Sequence, residues 1–302
     1  MIPPDTPRIV CGGITTLDII YGLDAIPTVP LKFRSERMTT SGGGLAGNAA
    51  TACARLGARV SLIARLGDDP FADLMIEELE RDGVDCGTVR RCPGYRSPVS
   101  AVIVDRQGER MVVSYSDPAI PSDTGWIPAG ILDGAHAVYA ETRWIEAALH
   151  LLPEARRRGL PSVLDADRRP THPDVLTMAS HVGFSAPALR EWTGIDDLPT
   201  ALKAASARAG NVLLVTDGAE GAWYMDAGEV RHEPAFPVRA VDTLGAGDTW
   251  HGALAVALAE RMPLQPAVRF ANAAAALKCT EFGGRKGMPS RQSVDAMLAG
   301  TR

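Results

Sequence analysis

The densest chemical signal in the chain is Asp242-Thr243-Leu244-Gly245-Ala246-Gly247-Asp248, which runs into a long apolar stretch. Two glycines around one small residue let backbone N–H groups converge where a helix begins. The helix dipole adds partial positive charge at the same place, so such a turn suits an anion. The amides of Gly245, Ala246 and Gly247 would be the donors. A phosphoryl group in transfer needs them, because charge spreads over its oxygens. Asp248, on the first helical turn, can reach an incoming hydroxyl and accept its proton. Taken alone, the turn also reads as a tight helix start with a capping aspartate.

A second glycine cluster invites a different chemistry. Gly42, Gly44 and Gly47 have the spacing of a dinucleotide-binding turn. That turn must follow a buried strand and be answered by an acid at the end of the next one. Residues 34–41 are polar, and the strand-like run 60–64 ends at Arg65, so NAD binding is rejected. Glycines also let backbone approach a polyhydroxy ligand closely. Asn48, just past the cluster, can donate to and accept from hydroxyls, or cap a helix. No G-x-x-x-x-G-K-[ST] occurs, which argues against a P-loop.

The remaining candidates lie at strand ends. Asp18 follows the first strand-like run by a few residues, where a carboxylate can accept from paired sugar hydroxyls. Arg143, in Glu141-Thr142-Arg143-Trp144, follows the run 137–140 and points toward the same crevice. Lys32 lies between the first strand and the first glycine cluster. Two cations suit a substrate that carries an anion; separately they read as surface charges. Thr216-Asp217-Gly218 with Gly221 follows another apolar run and reads as a turn.

Short apolar runs at 8–13, 60–64, 137–140, 162–165, 181–184 and 211–216 predict buried strands. Helical periodicity predicts helices at 45–56, 71–81, 145–158, 201–209, 247–260 and 265–278. Asp69-Pro70 is a cap followed by proline at the first helical position. This alternation predicts an α/β fold with a mainly parallel sheet flanked by helices. Residues 14–40 carry no strong helix, and 98–114 alternate around Gln107-Gly108 as a hairpin. These two segments are expected to pair as a small β-sheet lid on a single domain spanning 1–302.

The chain has 302 residues, 46% hydrophobic and 22% charged, with net charge −5. No apolar run approaches the ~20 residues that span a bilayer. No leader is seen at the start. Arg156-Arg157-Arg158 is the densest basic cluster and reads as a solvated helix end, so no nucleic-acid partner is expected. The five cysteines are scattered and form no CxxC pair, which fits a reduced cytoplasm.

Residues 242–259, DTLGAGDTWHGALAVALA, resemble the C-terminal signature of the ribokinase-like (PfkB) carbohydrate kinases. Trp250 stands where that family usually has Phe. GGGLAGNAATACARLG at 42–57 is similar to the N-terminal signature; Gly67-Asp68-Asp69-Pro70-Phe71 and Gly83-Val84-Asp85 also follow the pattern. The resemblance covers nearly the whole chain. It implies a ribokinase-like fold, ATP with Mg²⁺, and Asp248 as catalytic base. It implies sugar contacts at Asp18, Gly43, Gly44 and Asn48, and nucleotide contacts at Thr216, Gly218, Gly221 and Asn272. The family often has N-x-x-E where this chain has Ser185-Ala186-Pro187-Ala188, so the residues that position the metal stay open. Asp242, Cys279 and Gly283 fall in loops that hold a monovalent cation such as K⁺ in some members. Many members dimerise through the lid.

A narrower resemblance is to bacterial sulfofructose kinases. It is carried by Arg143-Trp144, Val163-Leu164-Asp165, Phe184-Ser185-x-Pro187, Phe270-Ala271 and residues 276–280. There the sulfonate is held by Lys, Arg and Asn. Lys32 and Arg143 occupy the first two positions, and Ser114 replaces the Asn. The substrate this implies is 6-deoxy-6-sulfofructose, phosphorylated at C1. A neutral or phosphorylated ketose, ribose or a nucleoside are the alternatives, as is a non-catalytic sugar- or nucleotide-binding protein on the same fold.

Overall fold

The first strand, β1 (Arg8–Gly12), explains the architecture. Ile9 and Cys11 enter one hydrophobic core, while Val10 between them enters another. Side chains alternate across a strand, so a run that is apolar at every position needs cover on both faces. The computed structural model, which describes residues 6–300, supplies that cover with helices on both sides of one large sheet. Residues 1–5 and 301–302 of the expected domain lie outside the described part.

In chain order, β2 (Thr16–Gly22), β3 (Arg37–Gly43), α1 (Leu45–Arg55), β4 (Arg59–Gly67), α2 (Pro70–Arg81) and β5 (Val84–Cys92) follow β1. Next come β6 (Val99–Val104), β7 (Arg110–Tyr115), β8 (Ala137–Glu141), α3 (Ile145–Arg157), β9 (Ser162–Ala166), β10 (His181–Ser185), α4 (Ala186–Thr193) and α5 (Leu198–Ala209). The chain closes with β11 (Val212–Thr216), β12 (Ala222–Asp226), β13 (Glu229–Glu233), α6 (Ala246–Ala259), α7 (Leu264–Lys278) and α8 (Arg291–Gly300).

The large sheet has nine strands in the order β13-β12-β11-β10-β9-β8-β1-β4-β5. It is parallel from β11 to β5, and β12 and β13 add an antiparallel edge. One face is covered mainly by α1, α6 and α7, the other by α3, α4 and α5. Strand order reverses at β1, which lies between β4 and β8. Open α/β sheets bind ligands outside the carboxyl ends of strands at such a reversal.

The second sheet has the order β3-β2-β6-β7. It is built from the two segments that read as a lid. The polar stretch 34–41, a poor candidate for a buried strand, contributes to β3 of this small sheet. Its first half is largely exposed, and it pairs in the small sheet rather than the parallel one. The dinucleotide geometry is absent for that reason. The helix α2 begins as its cap requires: Asp69 accepts from the Ala72 amide at 3.1 Å, with Pro70 at the first helical position.

Candidate active site

The glycine-flanked turn is a helix start. Gly245 takes the left-handed conformation (φ 81°) directly before α6. The amide of Ala246 closes the turn onto the Thr243 carbonyl at 3.2 Å. Those of Gly245 and Gly247 have no intrahelical acceptor, as at any helix N-terminus. Asp242 anchors the turn from below. Its carboxylate accepts from the amides of Leu244 (2.8 Å), Gly283 (2.9 Å) and Gly284 (3.1 Å). The fully buried Lys278 ammonium donates to the Asp242 carbonyl at 2.8 Å and lies 3.6 Å from its carboxylate.

Asp248 stands on the first turn of α6, and Asn48 on the second turn of α1. The Asn48 amide donates to the Asp248 carboxylate at 2.6 Å. Asn48 is thus inside its helix; the cap position belongs to Gly44, at φ 80°. Burial pushes the Asp248 pKa up to about 6, against the stabilising Asn48 bond. Asp167 and Asp18 add to the rise, and Arg110 opposes it.

Asp18 lies within β2 of the small sheet rather than in a loop after β1, and is only 6% exposed. Its neighbours in register are Ser41, Ser100 and, one strand further, Ser114. These four side chains share one face of the lid, because directly paired residues point the same way. Ser114 and Ser100 hydroxyls are 3.3 Å apart. Gly43 is required by this row: a Cβ there would stand 2.1 Å from the Asp18 carboxylate. Burial raises the Asp18 pKa, and the Thr16 and Ser100 hydroxyls counter it.

A largely apolar cavity of about 460 Å³ opens beside the turn. Thr216, Gly218, Gly221 and Asn272 all line it, and Thr243, Ala246 and Gly247 close one end. Its volume is in the range of small-molecule sites. The Asn272 amide is spent on the wall. It accepts from the Trp250 indole (2.7 Å) and donates to the Glu233 and Pro234 carbonyls (2.9 and 3.1 Å).

An apolar cavity beside a helix-start turn suited to an anion, with a half-buried carboxylate on the same turn, is a layout that suits phosphoryl transfer from a nucleotide. The model of the pfkB carbohydrate kinases matches residues 6–291. The chain belongs to the pfkB family of carbohydrate kinases. This pfkB kinase is 28% identical over 301 residues to a ribokinase of Bacillus subtilis, covering 95% of this chain and 98% of the relative. A protein of Agrobacterium tumefaciens, solved under a provisional ribokinase name, shares 34% identity at a TM-score of 0.94, over 97% and 98% of the two chains. Arabidopsis thaliana ribokinase complexed with ribose and ATP shares 25% identity at a TM-score of 0.85, over 97% and 99%. The fold is ribokinase-like, and the protein is an ATP-dependent carbohydrate kinase.

The expected cations of this pfkB kinase are placed differently from each other. Arg143 follows β8, as expected, but its guanidinium forks onto Asp167, with Nε at 2.8 Å, and is 41% exposed. Lys32 lies exposed in the segment joining β2 and β3. Ser185, in the place of the family's Asn, caps α4 by accepting from the Ala188 amide at 3.3 Å. No cluster of three or more His, Cys, Asp or Glu suits a metal among the described residues. The residues present fit a Mg²⁺ carried on nucleotide phosphates and water, not one caged by protein. They do not fit K⁺ beneath the turn, where the Lys278 ammonium already stands.

Sequence reasoning missed several groups around Asp248. Asp165, beyond β8 in the sheet, accepts from the Tyr139 hydroxyl at 3.0 Å. Burial, then the charges of Asp248 and Asp167, hold its carboxyl well above the usual range. His251 lies with its ring nitrogens 2.8 Å from the Gly247 carbonyl and 3.1 Å from that of Gly183, and burial lowers its pKa to about 4. Arg110, on the lid, donates to Thr243 of the anion turn. Their signal was a polar side chain inside an otherwise apolar run, as with Asp165 in Val163-Leu164-Asp165-Ala166 and His251 in α6.

Proposed function

We propose that this kinase moves the γ-phosphoryl group of ATP to a primary hydroxyl of a sugar held between the lid and the large sheet. The observation that carries this is the half-buried Asp248 carboxylate at the start of α6, which accepts from the Asn48 amide at 2.6 Å. The sugar would lie against Asp18, Asn48 and the row running to Ser114, with the backbone of Gly43 and Gly44 behind it. Asp248 accepts the hydroxyl proton as the new P–O bond forms, and ADP leaves with the electron pair of the broken bond. The amides of Gly245 and Gly247 face the charge that develops on the phosphoryl oxygens, and that of Ala246, expected beside them, would first have to leave the Thr243 carbonyl. ATP occupies the cavity lined by Thr216, Gly218, Gly221 and Asn272. Bound Mg²⁺ neutralises phosphate charge.

The acceptor we infer is a ketose with an anionic end, 6-deoxy-6-sulfofructose, giving its 1-phosphate. Its support is the pair of cations, Lys32 and Arg143, with Ser114 as a hydroxyl donor. The second reading is a neutral sugar such as ribose. It is favoured by the ion pair from Arg143 to Asp167, which already answers the guanidinium charge. The test is ADP release from ATP with 6-deoxy-6-sulfofructose, fructose, fructose 6-phosphate and ribose. Preference for the sulfonate supports the first reading, and turnover with neutral sugars alone supports the second. Asp248→Asn should keep ATP binding and lose ~10²-fold or more in kcat. Near-normal turnover in that variant would remove the assigned base.

Two broader features belong to the same reading. The outer lid face exposes Met38, Tyr21, Val113 and Tyr115, which suits pairing with a second copy of the chain. The five cysteines are free, consistent with a reducing cytoplasm.

A further inference from the structure

Arg285 follows the glycines after α7 and is 1% exposed. Among the described residues its guanidinium bonds only neutral oxygens: Nε donates to Asn48 Oδ1 at 2.9 Å, and Nη2 to the Gly43 carbonyl at 2.7 Å and Thr15 Oγ1 at 3.1 Å. Nη1 is buried without an acceptor among the described residues. A buried cation with an orphan donor is a poor choice for stability, since an apolar side chain would fill the space without desolvating a charge. What an apolar side chain cannot do is donate to Asn48.

That donation decides the orientation of an amide. A primary amide has an acceptor end and a donor end. With the Arg285 donor facing Oδ1, the NH₂ group must face Asp248, where it lies 2.6 Å from Oδ2. The glycine cluster is shaped around the same guanidinium. A Cβ at Gly42 would stand 2.0 Å from Nη1, and one at Gly47 2.2 Å from Nη2. We infer that Arg285 is the positioning residue of the catalytic base, orienting the Asp248 carboxylate through Asn48, and that Gly42 and Gly47 are glycines in order to admit its guanidinium.

This inference rests on Asp248 being the base. The charged and titratable groups that face Asp248 are Asp18 from β2, Arg110 from β7, Tyr139 from β8, Asp165 and Asp167 from the end of β9, and Arg285 itself. Without Arg285 and the Asn48 donor it orients, Asp167 and Asp18 outweigh the remaining Arg110, and ionised Asp248 becomes harder to form.

The experiment is steady-state ADP release by purified Arg285→Met and Arg285→Gly across pH, with ATP binding followed in parallel. Expected are a kcat lowered ~10- to 100-fold, the scale of a misplaced catalytic group, an unchanged Kd for ATP, and an acid limb moved to higher pH. Added guanidinium should restore part of the Arg285→Gly rate. A folded Arg285→Met with wild-type kcat and pH profile overturns the inference. Should the Arg285 variants not fold, Gly42→Ala carries the test. Its methyl displaces the guanidinium, so a lowered kcat with the same acid-limb shift supports the inference and an unchanged profile overturns it. Asp248→Asn separates the two failures. If it turns over normally, the base assignment falls; if it is inactive while Arg285→Met is normal, only the role of Arg285 falls.

Discussion

Asp248 must be ionised to accept a proton, and its environment makes that conditional. Its pKa is raised to about 6 by burial and by Asp167 and Asp18, so the deprotonated form dominates above that pH. The rate should therefore fall as pH drops through about 6, with log kcat/KM losing one unit per pH unit below it. A profile flat from pH 7 to 5 would place the proton elsewhere. Lys278 acts one layer down. It brings a fixed positive charge to Asp242, which anchors the anion turn through three amides. Wild-type activity is expected to be the same in Na⁺, K⁺ and NH₄⁺ salts. Lys278→Met leaves a buried carboxylate without its cation, a loss of ~3 kcal/mol or more for a broken buried pair. Activity in that variant should drop and recover partly with K⁺ or NH₄⁺. Strong K⁺ activation of the wild type would show that the ammonium does not fill the role.

The two helices that carry Asn48 and Asp248 are set by one small contact. Gly252 of α6 packs on α1, and a Cβ there would stand 2.7 Å from the Ala49 carbonyl oxygen and 3.1 Å from Ala49 Cα. Gly252→Ala gains at most ~1 kcal/mol of helix propensity. Overpacking of a tight contact costs ~1–3 kcal/mol. The second effect wins, so the variant should melt at lower temperature. Its kcat should fall as well, because α1 and α6 move apart and the amide-to-carboxylate bond lengthens. Melting and kcat both equal to wild type would show that the helices have slack. The elements differ in how readable they were. The strands β1, β4 and β8 to β11 are apolar on both faces, and each had a clear apolar run. The helices α1 to α3 and α5 to α7 were found to within three residues at either end. Helix α4 was not foreseen: its eight residues hold too few apolar repeats to set a period, although Ser185 and Gly194 (φ 71°) cap its ends. Strand β5 was missed because it is half-exposed and carries Asp85, Arg90 and Arg91.

At the scale of the molecule, the small four-stranded sheet is the part left unbalanced. Its inner face holds Asp18 and Ser100, buried; its outer face leaves Met38 63% and Val113 65% exposed. Apolar side chains gathered on one open sheet face mark a surface for a partner. Sedimentation should show a dimer for the wild type and a monomer for the double variant Met38→Glu, Val113→Glu, since paired copies would bury like charges together. A wild-type monomer at micromolar concentration would leave this face with another purpose.

The geometry of the glycine-flanked turn was legible because it is local. Gly245, Gly247 and Asp248 lie within one helical turn, so backbone geometry and dipole follow from neighbouring residues alone. The parallel sheet was legible too, because burial on both faces demands apolar residues at every position. Whatever depends on distant parts meeting was not. Asn48 and Asp248 are 200 positions apart, and Arg285 and Asn48 237 apart. Folding brings them together through helix packing and the return of the chain after α7. The same holds for the glycines at 42 and 47. Their spacing suggested room for a ligand, while the fold fills that room with a guanidinium. A side chain's type limits what it can bond, and its partners are chosen by packing over the whole chain.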